Sequence, residues 1–165
     1  MMPKIVISAE RKLIGKRKRM SFSNNTTAGL WKSFIPDRHL IKNSINSDLI
    51  SMQIYESNFN FSNFNPDLEF DKWAAVEVSD FSAIPKGMET YTIPRGKYAV
   101  FIHKGGPVKG PETFGYIFGS WIPQSEYEID NRPQFEILGK KYKNNEPDSE
   151  EEIWIPIKGS KSQTH

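Results

Sequence analysis

The chain has 165 residues, with 22 Lys plus Arg against 20 Asp plus Glu and no Cys. That length points to one domain or two small subdomains sharing a core. The balanced charge excludes a uniformly basic nucleic-acid coat and a polyacidic tail, and the missing Cys excludes disulfides, zinc–cysteine sites and thiol chemistry.

Residues 4–20 read as one long or bent edge strand, with Gly15 as a bulge and a basic run from Arg11 to Arg19. The run Ile5-Val6-Ile7 is shorter than the ~7–15 apolar residues of a signal peptide. No segment approaches the ~20 apolar residues that span a bilayer. The expectation is a soluble, cytoplasmic protein without membrane contact. Ser23 to Thr27 offers helix N-caps, and Ala28 to Ile35 is a helix stopped by Pro36. Leu49 to Tyr55 is a strand. Residues 57–70 form an Asn/Phe-rich loop of neither period. Asp71 to Ser79 is a strand with Trp73, Ala75 and Glu77 on one face and Ala74, Val76 and Val78 on the other. Met88 to Ile93 and Lys97 to Lys104 read as hairpin partners around Pro94-Arg95-Gly96. Glu112 to Trp121 is a helix with Phe114, Ile117, Phe118 and Trp121 on one stripe, stopped by Pro123. Pro133 to Leu138 and Glu152 to Ile157 are strands, and residues 159–165 read as a disordered tail.

The two helices share a signature. Leu30-Trp31-Lys32-Ser33-Phe34-Ile35-Pro36 aligns without gaps on Ile117-Phe118-Gly119-Ser120-Trp121-Ile122-Pro123. Each helix follows a strand and precedes two more, which suggests a duplicated strand-helix-strand-strand unit. The expected fold class is therefore α+β. It has one antiparallel sheet, both helices on one face, and a ligand cleft at the junction of the halves. One domain is expected over 1–158, with halves of about 1–79 and 80–158.

Aromatic residues make up 13% of a chain that is only 37% hydrophobic, so the rings furnish either an unusual core or an unusual pocket. Glu136 stands out because a carboxylate among rings needs a counter-charge or takes up a proton. A ligand cation could supply that charge, with cation–π attraction from the rings. On a solvent face the same residue is an ordinary surface charge. Trp121, Trp154, Trp73 and Trp31 either pack or line a cavity. Glu152 alternates in phase with Trp154, and Glu136 with Glu152 is the carboxylate pair to test for acid–base work. No catalytic residue is assigned. His-Glu-x-x-His, Gly-x-Ser-x-Gly and Cys nucleophile motifs are absent, and no metal or other cofactor is expected. His103 reads as a surface or turn residue. The glycines of 105–110 read as a plain connection, since Pro107 removes a donor and no P-loop ending follows. The basic run reads as protection of a sheet edge, so no direct nucleic-acid binding is expected.

The second half is similar to a known family. Asp80-Phe81-Ser82-Ala83-Ile84-Pro85-Lys86-Gly87-Met88, Ile93-Pro94-Arg95-Gly96-Lys97-Tyr98-Ala99-Val100-Phe101, Phe118-Gly119-Ser120-Trp121-Ile122-Pro123, Arg132-Pro133-Gln134-Phe135-Glu136 and the strand Ser149 to Ile157 follow the pattern of the gyrase-inhibitor-like, or AraC-type effector-binding, domains. The match is strong over roughly 70–158 and weak over 1–56. The resemblance implies the duplicated fold and a hydrophobic cleft for small amphipathic, often cationic, molecules. It implies that Glu136 marks the pocket and that Trp121, Leu138 and Trp154 line it. Phe118, Glu152 and Trp73 complete the expected ligand-binding set.

Fused members of the family are multidrug-responsive transcription regulators. This chain has no room for a DNA-binding region, so a stand-alone binding module is the first expectation. Its expected partner is a small amphipathic or cationic molecule. The alternative is a hydrolase of cyclopropane-bearing toxins, with Trp121 stacking on substrate and Glu136 directing water. A protein partner such as gyrase is the third reading. The Asn/Phe loop is expected to edge or cover the cleft.

Overall fold

In the computed structural model, residues 1–56, 65–143 and 146–159 are described. The first half supplies β1 (Lys4–Ser8), β2 (Arg11–Ser21), α1 (Thr27–Phe34), β3 (Leu49–Tyr55) and β4 (Glu69–Val78). The second supplies β5 (Glu89–Ile93), β6 (Gly96–Lys104), α2 (Gly110–Tyr116), a π-helical turn over Ile117–Trp121, α3 (Ile122–Gln124), β7 (Tyr127–Ile129), β8 (Gln134–Leu138) and β9 (Glu150–Gly159).

The sheet order among the described residues is β1-β6-β9-β8-β3-β4-β2-β5, with β7 added to β9. Its middle, β6-β9-β8 followed by β3-β4-β2, reads the same from either end once the halves are exchanged. This is the duplicated strand-helix-strand-strand unit, joined at the antiparallel β3–β8 pair, where Ser51 stands opposite Glu136.

The outer strands correct two expectations. Residues 4–20 are broken at Ala9-Glu10 into β1 and β2, which do not pair. β1 pairs with β6 of the other half, and β5 pairs with β2 of the first. β5 and β6 therefore form no hairpin, because β6 is already flanked by β1 and β9. Each half lends its leading strand to the other. The basic run Lys16 to Arg19 falls where β2 has passed the end of β5 and pairs with β4 alone. There Arg17 and Arg19 form ion pairs with Glu89, Asp71 and Glu56.

Gly15 is not a bulge, since the β2–β4 register runs through it unbroken. It is required for close approach: a Cβ there would lie 2.2 Å from the Ala74 carbonyl oxygen.

α1 starts where Asn25 Oδ1 accepts the Thr27 N–H at 3.0 Å. It passes into a 3-10 turn over Ile35–Leu40 that contains Pro36. The second helical segment likewise runs past the expected stop, with Pro123 inside its last turn.

Three apolar clusters hold the sheet. α1 buries Leu30 and Phe34 on Ile14, Ala74, Val76 and Val78. The second helical segment buries Ile117 on Ala99, Phe101, Ile153, Ile155 and Ile157. On the reverse face, Leu13, Met52, Trp73, Ile93, Tyr98 and Phe135 form one core drawn from both halves. β9 ends at Gly159, inside the expected tail, and the rest of that tail (160–165) lies outside the described residues.

Candidate functional site

Both helices cover the same sheet face, and a cleft of about 650 Å³ opens between them at the β3–β8 seam. Each half supplies an aromatic wall. On the first side Phe70 lies 5.0 Å from Phe22 and 5.4 Å from Tyr55, ring to ring. On the second, Phe114 and Phe118 stack at 6.2 Å. Phe118 belongs to the expected ligand-binding set and Phe114 shares its helix stripe, and both line the cleft.

The floor is polar. Strand alternation turns Gln53 of β3, Lys72 of β4, and Gln134 and Glu136 of β8 into it. Lys72 Nζ donates to Gln53 Oε1 at 2.5 Å. Burial pushes the Lys72 ammonium pKa down, against the pull of the Glu136 and Glu151 charges. Burial also pushes the Tyr55 phenol well above its ordinary range, and the Glu136 charge adds to that.

Glu136 has an acidic neighbour that differs from the expected one. Glu152 stands opposite Ile137 in register, which puts it on the reverse face from Glu136. There it accepts the Trp154 Nε1–H at 2.9 Å. Glu151 instead shares the face of Ile153, Ile155 and Ile157 and meets Glu136. Burial first, then the Glu136 charge and a hydrogen bond to it, raise the Glu151 carboxyl to about 9. Two carboxyls so placed share one proton at neutral pH. Tyr142 is near enough for both charges to add to the rise that burial gives its phenol.

His103 corrects another reading. It is 2% exposed and stands opposite Glu151 in register. Its Nε2 donates to the Gly106 carbonyl at 2.7 Å, which leaves Nδ1 to accept the Thr113 hydroxyl at 2.7 Å. The positive φ of Gly105 (101°) and Gly106 (71°) turns the chain back toward this ring. The connection thus ties β6 to the start of α2 beside the cleft.

Of the expected residues, Glu136 and Phe118 meet in the cleft. Leu138 shares the β8 face but sits opposite Leu49, beyond the lining. Trp121 packs edge-on to Phe101 at 5.3 Å and stacks on Tyr127 at 6.2 Å. The π-helical turn separates it from Phe118 around the helix axis more widely than α-helical spacing would. Trp154 lies on the reverse face, stacked on Phe135 at 5.3 Å and capped by the Arg11 guanidinium at 4.7 Å. Trp73 is part of that same core.

Phe22, Tyr55, Lys72 and Glu151 were not singled out from the sequence, whereas Phe70, the last residue of the Asn/Phe loop expected to edge the cleft, lines it from within β4. Lys72 and Glu151 did leave a signal: Lys72 interrupts the apolar face Phe70, Ala74, Val76 and Val78 of β4, and Glu151 begins the face Ile153, Ile155 and Ile157 of β9. Phe59, Phe61 and Phe64 of the Asn/Phe loop lie outside the described residues. Among the described residues no His, Asp and Glu cluster could hold a metal ion, and no helix is long and apolar enough to cross a membrane.

The transcriptional regulator BrlR of Pseudomonas aeruginosa is 27% identical over 146 residues, 88% of this chain and 51% of BrlR. The chain thus spans about half the length of that curated relative. The structure of SAV2435 bound to tetraphenylphosphonium shares the fold with a TM-score of 0.73 at 21% identity, covering 100% of this chain and 99% of that one. EcmrR in its DNA complex aligns with a TM-score of 0.69 at 16% identity, covering 95% of this chain and 57% of EcmrR. With residues 1–158 matching the family model, the chain belongs to the GyrI-like small molecule binding domains.

Proposed function

We propose that the chain captures an amphipathic cation in the seam cleft, with Glu136 as the charge anchor, as an effector-binding module. The observation that carries this reading is the placement of Glu136 on the floor between two aromatic walls, one from each half. Rings supply apolar area and cation–π attraction, while the carboxylate supplies the counter-charge. The tetraphenylphosphonium complex of the similarly folded SAV2435 supports the same ligand class.

Titration with tetraphenylphosphonium, followed by calorimetry, is expected to saturate. Glu136→Gln is expected to weaken it about 10-fold or more, the range of a charged interaction in a shielded site. Neutral triphenylphosphine oxide should lose much less. Equal losses for both ligands would sink the electrostatic role, and no saturation at all would sink the reading.

A second reading has one observation of its own. Glu136 and Glu151 form a carboxyl pair that retains a proton, which is an acid–base couple. A hydrolase of electrophilic, cyclopropane-bearing compounds would use it, without Trp121, which packs away from the cleft. Turnover of such a compound that Glu136→Ala abolishes supports this reading, and absence of turnover counts against it.

A further inference from the structure

The floor of the cleft is not purely acidic. Lys72 brings an amine into the same space as Glu136. Its Nζ has one hydrogen bond, to Gln53 Oε1, and no ion pair among the described residues. An ammonium carries three N–H donors, so most of its donor capacity is unused in a shielded place. Burial there disfavours its charge, a cost that an anionic oxygen delivered beside it would relieve.

Among the described residues that line the cleft, the charged side chains are Glu136 and Lys72, and a nearby anion would hold the Lys72 amine protonated. A purely cationic ligand satisfies Glu136 and meets Lys72 as a like charge. A ligand with both signs satisfies each. Resting on the reading of this cleft as a small-molecule site, we propose that it selects aromatic zwitterions, with the cationic group at Glu136 and a carboxylate at Lys72 Nζ. A volume of about 650 Å³ suits a fused-ring ligand of that kind.

The test compares two dyes with the same ring system on the full chain: rhodamine B, which carries a free carboxylate, and its ethyl ester, which is a plain cation. Fluorescence anisotropy is expected to show the acid bound about 10-fold tighter or more, as for a charge-assisted hydrogen bond. In Lys72→Met the acid-to-ester preference should fall to about one, and in Lys72→Arg it should persist. Circular dichroism checks that both variants fold. If Lys72→Met is unfolded, the wild-type preference and the Lys72→Arg result decide. An ester that binds as well as the acid, a preference untouched by Lys72→Met, or binding of tetraphenylphosphonium but neither dye would overturn the inference and leave the cation-binding reading intact. Failure of all three ligands would overturn both.

Discussion

Glu151 of β9 meets Glu136 of β8 beside the cleft, where burial first, then the Glu136 charge and a hydrogen bond between the two carboxyls, hold a proton on Glu151. This makes the protein's stability depend on pH in a direction opposite to that of a salt-bridged acid. The Glu151 carboxyl is raised from 4.5 to about 9, with burial as the largest cause. Between those values the folded state binds a proton that the unfolded state has released. Stability is therefore fully present below the unfolded value and is lost as pH rises toward the folded one. Thermal melts from pH 5 to pH 8.5 should show a falling midpoint. Glu151→Gln should flatten that fall and gain about 1–3 kcal/mol at pH 8, the usual range for a buried polar penalty removed. A midpoint that rises with pH, or a variant with the same slope, would show that the proton is not held there.

The aromatic residues divide by sheet face, and their substitutions should divide with them. Phe135 is 1% exposed, lies edge-on to Tyr98 at 5.3 Å and stacks on Trp154. Phe135→Ala should cost about 3–5 kcal/mol in urea unfolding, the range for an aromatic lost from a tight core. Phe118 is half-buried on a cleft wall, so Phe118→Ala should cost less stability. Its main effect should be on tetraphenylphosphonium affinity, weakened by about 5- to 10-fold for the loss of one ring contact. The reverse pattern, with Phe118→Ala unfolding the protein and Phe135→Ala only weakening binding, would place the site on the other face.

Trp154 gives a sharper test of the same division. The family resemblance makes it a cleft position, yet its indole is committed to Phe135, Arg11 and Glu152 on the reverse face. Trp154→Phe should leave tetraphenylphosphonium affinity within about twofold, while lowering stability through the lost indole donor and stacking area. A loss of affinity matching that of Phe118→Ala would require the two faces to communicate.

What the sequence could and could not reveal follows from the range of the interactions. β3 was legible at both ends because an apolar run there is bounded by polar turns. The duplication was legible because each half repeats its helix signature and its order of elements. The exchange of β1 and β5 was not. Pro94-Arg95-Gly96 signals a chain reversal, whereas the partner of each strand is chosen by a distant edge left open in the other half. The cleft lining was legible in Glu136 and Phe118. It failed at Glu152, where the phase with Trp154 was right but the sheet face depended on the β8–β9 register. It failed at Trp121 because a π-helical turn carries no period that an α-helical reading detects. Glu151 opens a strand face that continues in Ile, and Lys72 interrupts one that runs from Phe70 into Ala and Val. A charge near the start of a strand is usually solvated, and only the helices placed above show that these two are not.

The pairing of β2 with β4 at Gly15 gives the last prediction. At Gly15 the neighbouring strand is too close for any side chain: a Cβ would lie 2.2 Å from Ala74 O and 2.6 Å from Ala75 Cα, both backbone atoms that cannot move aside alone. Gly15 also pairs with Glu89 of β5 on its other side, so β2 is clamped between two strands at that residue. Gly15→Ala should therefore cost at least the ~1–3 kcal/mol typical of overpacking, although Ala is the better residue for an unstrained strand. The strain bears on β4, the strand that carries Lys72 to the cleft floor. If the two strands spread, the Lys72–Gln53 hydrogen bond at the β3–β4 pair should loosen, and rhodamine B affinity should fall along with stability. Urea unfolding and dye titration on the same preparation check both parts. A variant as stable as the wild type would show that β2 and β4 leave room for a methyl group at this point.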